Sequence, residues 1–244
     1  SREDVQYILD QANRVLSPKL DVSQIIGVYA GLRPLVANNK DSATTKLSRE
    51  HTVDRPAPGF VSIAGGKYTT YRVMAQDVVD RAVIELRRLT KESVTEKLPL
   101  VGADGYFALE QQKERIAQES GLDVETVTHL LNRHGSLISE ILEIIEEQPK
   151  LATKLDADLP YIKAEIVYAT SHEGARSVDD VISRRTRLSF EAVNHGVHLA
   201  DEVAALIAPV LGWSAKERKE SIAQYIELVE REIAALDELL EVNS

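Results

Sequence analysis

From Asp4 to Leu16 the apolar residues Val5, Ile8, Leu9, Ala12 and Leu16 recur at helical spacing, and Ser17-Pro18 closes the stripe. Ile25 to Leu35 is rich in Ile, Val and Tyr instead, with Gly31 and Pro34 near its end, which predicts a strand breaking at a turn. A polar loop, Asn38-Asn39-Lys40-Asp41-Ser42, follows it. Leu47 to Asp54 alternates loosely as a second strand, and Arg55-Pro56-Ala57-Pro58-Gly59 reads as a turn. Phe60 to Ala64 predicts a short buried strand closed by Gly65-Gly66. From Thr69 to Leu89 the spacing becomes helical, through Val73, Val78, Val79, Val83, Ile84 and Leu86.

Lys91 to Asp104, with Pro99 and Gly102, reads as a linker, and everything beyond it reads as helix. Gly121 and Gly135 stand where glycines following a helix would stop two short ones. Ser214 and Glu217 form an S-x-x-E capping box. It opens a long final helix with the stripe Ile222, Ile226, Val229, Ile233, Leu236 and Leu240. The pattern predicts an α+β fold: a small β-containing unit with flanking helices over 1–95, then an all-α domain over 96–244.

Charge sharpens that division. Residues 1–95 hold 14 Lys and Arg against 11 Asp and Glu, a balance of +3, while the remainder holds 15 against 28, a balance of −13. A −13 unit repels nucleic acid and anionic lipid, so anionic ligands belong to the first unit. With 43% hydrophobic and 28% charged residues the chain has enough apolar material for a core. It holds no Cys, which removes disulfides, thiolate nucleophiles and Cys-ligated metals, and which fits a cytoplasmic setting. No apolar run approaches the length of a membrane span. Ser1-Arg2-Glu3-Asp4 shows no signal-peptide character and opens straight into helical sequence, as a segment of a longer chain would.

A strand ending in two glycines and feeding a helix brings backbone N–H groups and a positive dipole end to one place. Lys67 adds a full charge there, and Thr69 and Thr70 supply capping hydroxyls. The spacing is not that of a P-loop: no Gly precedes Gly66 by five positions, and Tyr68 stands where the magnesium-binding Ser or Thr belongs. Arg33, fixed at a strand end by Pro34, and Arg49 on the neighbouring strand could complete a cup for phosphate or carboxylate.

Val28-Tyr29-Ala30-Gly31-Leu32-Arg33-Pro34-Leu35, Ser48-Arg49-Glu50-His51 and Gly65-Gly66-Lys67-Tyr68-Thr69-Thr70-Tyr71-Arg72 occur in that order. Together they resemble the FAD-dependent glycerol-3-phosphate dehydrogenases. The similarity is strong over 22–75 and weaker beyond 100, where its best stretch runs from Ala164 through His172-Glu173 to Arg184-Arg185-Thr186. The resemblance implies oxidation of sn-glycerol 3-phosphate to dihydroxyacetone phosphate, with FAD passing electrons to a quinone on the inner face of a membrane. It implies that Arg33, Arg49 and Lys67 bind substrate, and that Gly65, Gly66, Lys67, Tyr68 and Thr69 lie along the flavin. The G-x-G-x-x-G motif of the flavin-binding segment does not occur in this sequence. The chain therefore reads as the C-terminal portion of such an enzyme, inactive alone. No base is identifiable by resemblance; His51 is the nearest candidate by position.

In the tail, His195 and His198 with Glu191 or Asp201 read as chance neighbours rather than metal ligands. Asp156-Ala157-Asp158 lacks the central Gly of a calcium loop. Arg184, Arg185 and Arg187 are expected to pair with nearby carboxylates. The tail is expected to pack on the β unit or to mediate homo-oligomer assembly. Two other readings remain open: a non-catalytic acidic helical module, and another flavin-dependent oxidase of the same fold.

Overall fold

The structure is a computed structural model that describes residues 1–25, 28, 29, 31, 50–86 and 90–241. The strand expected over 25–35 and both candidate arginines, Arg33 and Arg49, lie essentially outside the described residues. The chain divides into two compact units, Ala30–Leu100 and Ser1–Tyr29 with Val101–Ser244. The predicted α+β class holds, with helices predominating.

In the first of these units β1 (His51–Ala57) and β2 (Phe60–Gly65) form an antiparallel hairpin. Its register sets His51 opposite Gly65 and Val53 opposite Ile63. The turn expected over Arg55–Gly59 is shorter than the sequence suggested: β1 continues through Ala57, leaving only Pro58-Gly59 as the loop. Pro56 is tolerated because the register shifts between Asp54 and Ala57, so its missing N–H falls at an irregularity of an edge strand. Gly59 supplies the positive φ, 76°, at the tip. β2 is half-exposed rather than buried, because among the described residues nothing covers both faces of the two-stranded sheet. A single 3₁₀ turn, Tyr68–Thr70, leads into α2 (Tyr71–Glu85), and an Arg55–Glu85 ion pair at 2.8 Å ties β1 to its far end.

The second unit opens with α1 (Arg2–Ala12), capped by a reciprocal Ser1–Asp4 box. It resumes with α3 (Tyr106–Glu110), α4 (Lys113–Ser120), α5 (Val124–His134), α6 (Ile138–Glu147) and α7 (Lys163–Ser171). A π-helical turn over Asp180–Arg185, α8 (Leu188–Glu191), α9 (Ala200–Leu211) and α10 (Ala215–Glu241) complete it. Gly121 ends α4 in the left-handed conformation, as expected. Gly135 does not: with φ 59° and ψ −132° it leads by a 3₁₀ turn into α6. Its lack of a side chain serves a contact instead, since a Cβ there would stand 1.9 Å from the Gly102 carbonyl, which accepts from the Ser136 N–H at 2.8 Å.

Two clusters of buried side chains fill this unit. One joins α4, α5, α6 and α7 through Val127, Leu130, Ile141 and Tyr168; the other joins α7, α9 and α10 through Ile166, Val203, Ile207 and Tyr225. α7 serves both because it is apolar on nearly every side, the mark of a central helix. The Ser214–Glu217 box opens α10 as predicted, with Ser214 N–H donating to Glu217 at 2.7 Å. The deepest side chains of its buried face are Ser221, Tyr225 and Val229. Among the described residues no helix is long and apolar enough to cross a membrane.

Candidate functional site

The Gly-Gly-Lys junction is built by the hairpin and α2. Gly65 and Gly66 both take positive φ, 79° and 81°, a conformation that residues with a Cβ adopt only under strain. A side chain at Gly66 would also crowd its neighbours: a Cβ would stand 2.5 Å from Met74 Sδ, whose flexible end would have to shift, and 3.2 Å from His51 Cβ. The backbone then turns outward at Lys67, which is extended (φ −129°, ψ 151°). Thr70 ties this turn down, its hydroxyl donating to the Lys67 carbonyl at 3.0 Å. The Lys67 side chain is exposed, and no described carboxylate pairs with its ammonium.

The helix proper begins at Tyr71, one 3₁₀ turn beyond Lys67, so its positive end lies nearer Thr70 than the sequence suggested. Thr70 caps through its backbone position only, because its hydroxyl is spent on Lys67. Tyr68, 91% exposed, stacks against Tyr71 with ring centroids 6.0 Å apart. The Arg72 guanidinium lies over the Tyr71 ring at 5.5 Å and donates to the Thr95 carbonyl. Gly65 and Gly66, half-buried, thus lead into an exposed ledge of Lys67, Tyr68 and Thr69. His51 packs behind it, its Nε2 2.7 Å from Asp77 on α2.

In the helical unit the expected carboxylate pairing of the arginines is present at Arg184, which donates to Asp179 and Asp180, and at Arg187, 3.6 Å from Glu191. Arg185 instead donates to the Glu173 carbonyl at 2.8 Å. His195 and His198 diverge: the first lies 3.9 Å from Glu232, the second 2.9 Å from Asp156. Among the described residues no group of three His, Cys, Asp or Glu side chains is arranged to hold a metal ion.

What the sequence reading missed is a buried ionic cluster. Glu165, 2% exposed, accepts from the Ile162 N–H at 2.9 Å and lies 2.9 Å from His129, 3.4 Å from His134 and 3.8 Å from Arg133. Burial pushes its carboxyl pKa up, but the hydrogen bonds from His129 and His134, with the His129 charge and the Ile162 N–H, outweigh that and hold it below its ordinary value. Nearby, Glu140 accepts from the Tyr168 hydroxyl at 2.6 Å, and burial together with that carboxylate raises the phenol. The cluster joins α5 to the start of α7. The one available signal was a lone Glu inside the apolar run of α7.

A Gly-Gly-Lys junction on a hairpin–helix unit, joined in one chain to a helical unit with its own core, defines a two-unit α+β protein. A family model described as the C-terminal domain of alpha-glycerophosphate oxidase matches residues 93–218, more than half of the chain. The chain belongs to this family. It is 48% identical over 233 residues to glycerol-3-phosphate dehydrogenase 2 of Mycobacterium tuberculosis, covering 96% of this chain and 40% of that protein. It is 33% identical over 228 residues to the mitochondrial glycerol-3-phosphate dehydrogenase of Mus musculus, covering 91% of this chain and 31% of that one. The glycerol-3-phosphate dehydrogenase of Bacillus halodurans, solved in complex with FAD, matches with a TM-score of 0.70 at 25% identity over 93% of this chain and 44% of its own. The chain spans about 40% of the length of the mycobacterial relatives it matches.

Proposed function

We propose that this chain is the C-terminal portion of a flavin-dependent enzyme that oxidises sn-glycerol 3-phosphate to dihydroxyacetone phosphate. Residues 1–95 would complete its flavin- and substrate-facing domain, and 96–244 form its helical C-terminal domain. The observation that carries the reading is the ledge: two half-buried glycines in left-handed conformation present backbone without side chains, beside an exposed Lys67 that no described carboxylate pairs with. FAD, when bound, supplies the acceptor for the hydride leaving C2 of the substrate. Lys67 holds a fixed positive charge where negative charge develops. Arg33 and Arg49 are assigned with Lys67 to the substrate phosphate and hydroxyls, and Tyr68 and Thr69 to the flavin, by family resemblance. The related enzymes' names support the substrate, and the FAD complex of the Bacillus halodurans protein supports the cofactor. Quinone as acceptor, a cytoplasmic location at the inner membrane face and homo-oligomerisation through the helical unit are further parts of this proposal.

The test is the full-length protein. It should purify yellow and reduce a dye with glycerol 3-phosphate, and Lys67→Ala should lower kcat/KM at least about a hundredfold. This chain alone should neither retain FAD nor turn over. The self-contained core of 101–241 favours one second reading, an independent helical interaction module. Unchanged activity of Lys67→Ala would select it.

A further inference from the structure

His51 begins β1 opposite Gly65, and its Cβ stands 3.2 Å from the point a Cβ on Gly66 would occupy. Met74, on the first turn of α2, fills the same space with Sδ 2.5 Å and Cε 2.8 Å from that point. Beyond Cβ, the His51 imidazole reaches across to α2, with Nε2 2.7 Å from Asp77 Oδ2. Asp77 lies three residues after Met74 and so shares its helix face. The side chain of His51 is 18% exposed, while Asp77 stays half in water. Two elements that flank the junction are therefore tied together directly behind it, and Thr70 fixes the residue in front through the Lys67 carbonyl.

We infer that His51, Asp77 and Met74 form a brace that holds the Gly65-Gly66 backbone and so sets the position of Lys67. In this arrangement His51 is a positioning residue, not the base of the proposed oxidation. A carboxylate partner engages Nε2, which commits that nitrogen to Asp77. Asp77 also sits about 9 Å along α2 from Tyr71, so Nε2 is directed at the second helical turn rather than at the end where Lys67 projects. The inference rests on the functional reading above, since it assigns a consequence for catalysis to the position of Lys67.

The experiment compares full-length holoenzyme with His51→Phe, His51→Gln, Asp77→Leu and the double variant His51→Phe/Asp77→Leu. Unfolding midpoint, flavin spectrum, kcat, KM and the pH profile of kcat/KM are read for each. His51→Phe should lower kcat about tenfold and shift the flavin absorption at an unchanged unfolding midpoint, because a displaced Lys67 misplaces its charge. His51→Gln, whose amide still donates to Asp77, should return to within about threefold of wild type with both limbs of the profile intact. Asp77→Leu should match His51→Phe, and the double variant should be no worse than either, as for one coupled unit. A loss of a hundredfold or more in His51→Gln with the acidic limb gone would make His51 the base and overturn the inference. Silence in every variant, or losses that track the unfolding midpoint, would overturn it equally. If wild type holds no FAD and oxidises no glycerol 3-phosphate, the functional reading fails instead. The brace is then read in this chain by amide exchange at Gly65–Lys67, which should quicken about tenfold in His51→Phe and would refute the brace if unchanged.

Discussion

Apart from Leu9, every buried apolar side chain among the described residues lies between Ile116 and Val229, whereas β1, β2 and α2 bury none. The contrast does not come from a lack of apolar residues in the hairpin unit: Val73, Val79, Ile84 and Leu86 of α2 and its cap are all more than half exposed. It comes from what each unit supplies as a partner. In the helical unit α7 is enclosed by two clusters, and α5, α6, α9 and α10 each find an apolar face opposite. The two strands and one α-helix described in the hairpin unit do not enclose a core in this way. Apolar spacing thus states that a face is to be covered, and not that the same stretch of chain covers it.

The largest effect expected from breaking this contrast is at Glu165. Glu165→Ala leaves His129, His134 and Arg133 crowded around a lost carboxylate and orphans the Ile162 N–H, which should cost about 3–5 kcal/mol in denaturant unfolding. The pH dependence has a definite sign. The carboxyl is held below its ordinary value of 4.5, so its stabilisation is complete above that pH and is lost as pH falls through the lower folded-state value. The stability advantage of wild type over Glu165→Gln should therefore be constant near neutrality and shrink below about pH 4.5. An advantage that grew on acidification would refute this account of the cluster.

Next comes the apolar core itself. Leu130 is fully buried, and Leu130→Ala should cost about 3 kcal/mol by transfer and cavity terms together. A cost below about 1 kcal/mol would mean that the cluster relaxes around the gap and that the helical unit is less tightly built than it looks.

How much of this was legible in the sequence follows from how local each feature is. The order strand, Gly-Gly, Lys, helix was readable, because glycines and a change of apolar period are local signals. So were the Ser214–Glu217 box and the Gly121 stop. The extent of β1 was not, because whether Pro56 can sit in a strand depends on the register its partner allows. Tyr225, which anchors the middle of α10 in the core, is missing from an aliphatic stripe although it is almost wholly buried. The Glu165 cluster was hidden for another reason: His129 lies 36 positions from Glu165, and only the packing of α5 on α7 brings them together. Of the candidate site, Gly65, Gly66 and Lys67 form the turn that leaves β2, while Arg33 and Arg49 fall outside the described residues.

A smaller effect is expected at the junction. Gly66→Ala imposes a Cβ at φ 81° and against Met74, which should cost about 2 kcal/mol locally. In this chain that should appear as amide exchange about thirtyfold faster across β2 and the start of α2, with the unfolding of the helical unit unchanged. Simultaneous loss of both units would mean that they unfold as one and would remove the contrast between them.

The smallest effect tests the contrast most directly. Val79 is 56% exposed on α2, so Val79→Ala in this chain should change stability by less than about 0.5 kcal/mol. If the hairpin unit completes a larger flavin-facing domain, as proposed, the same substitution in the full-length protein removes a buried side chain and should cost more than about 1 kcal/mol. A substitution silent in both settings would make the apolar side of α2 a solvent face and take away the physical support for reading residues 1–95 as part of something larger. A substitution costly in this chain alone would mean that the chain covers α2 by itself. Only a cost that appears with the added length supports a unit whose core is completed from elsewhere in the protein.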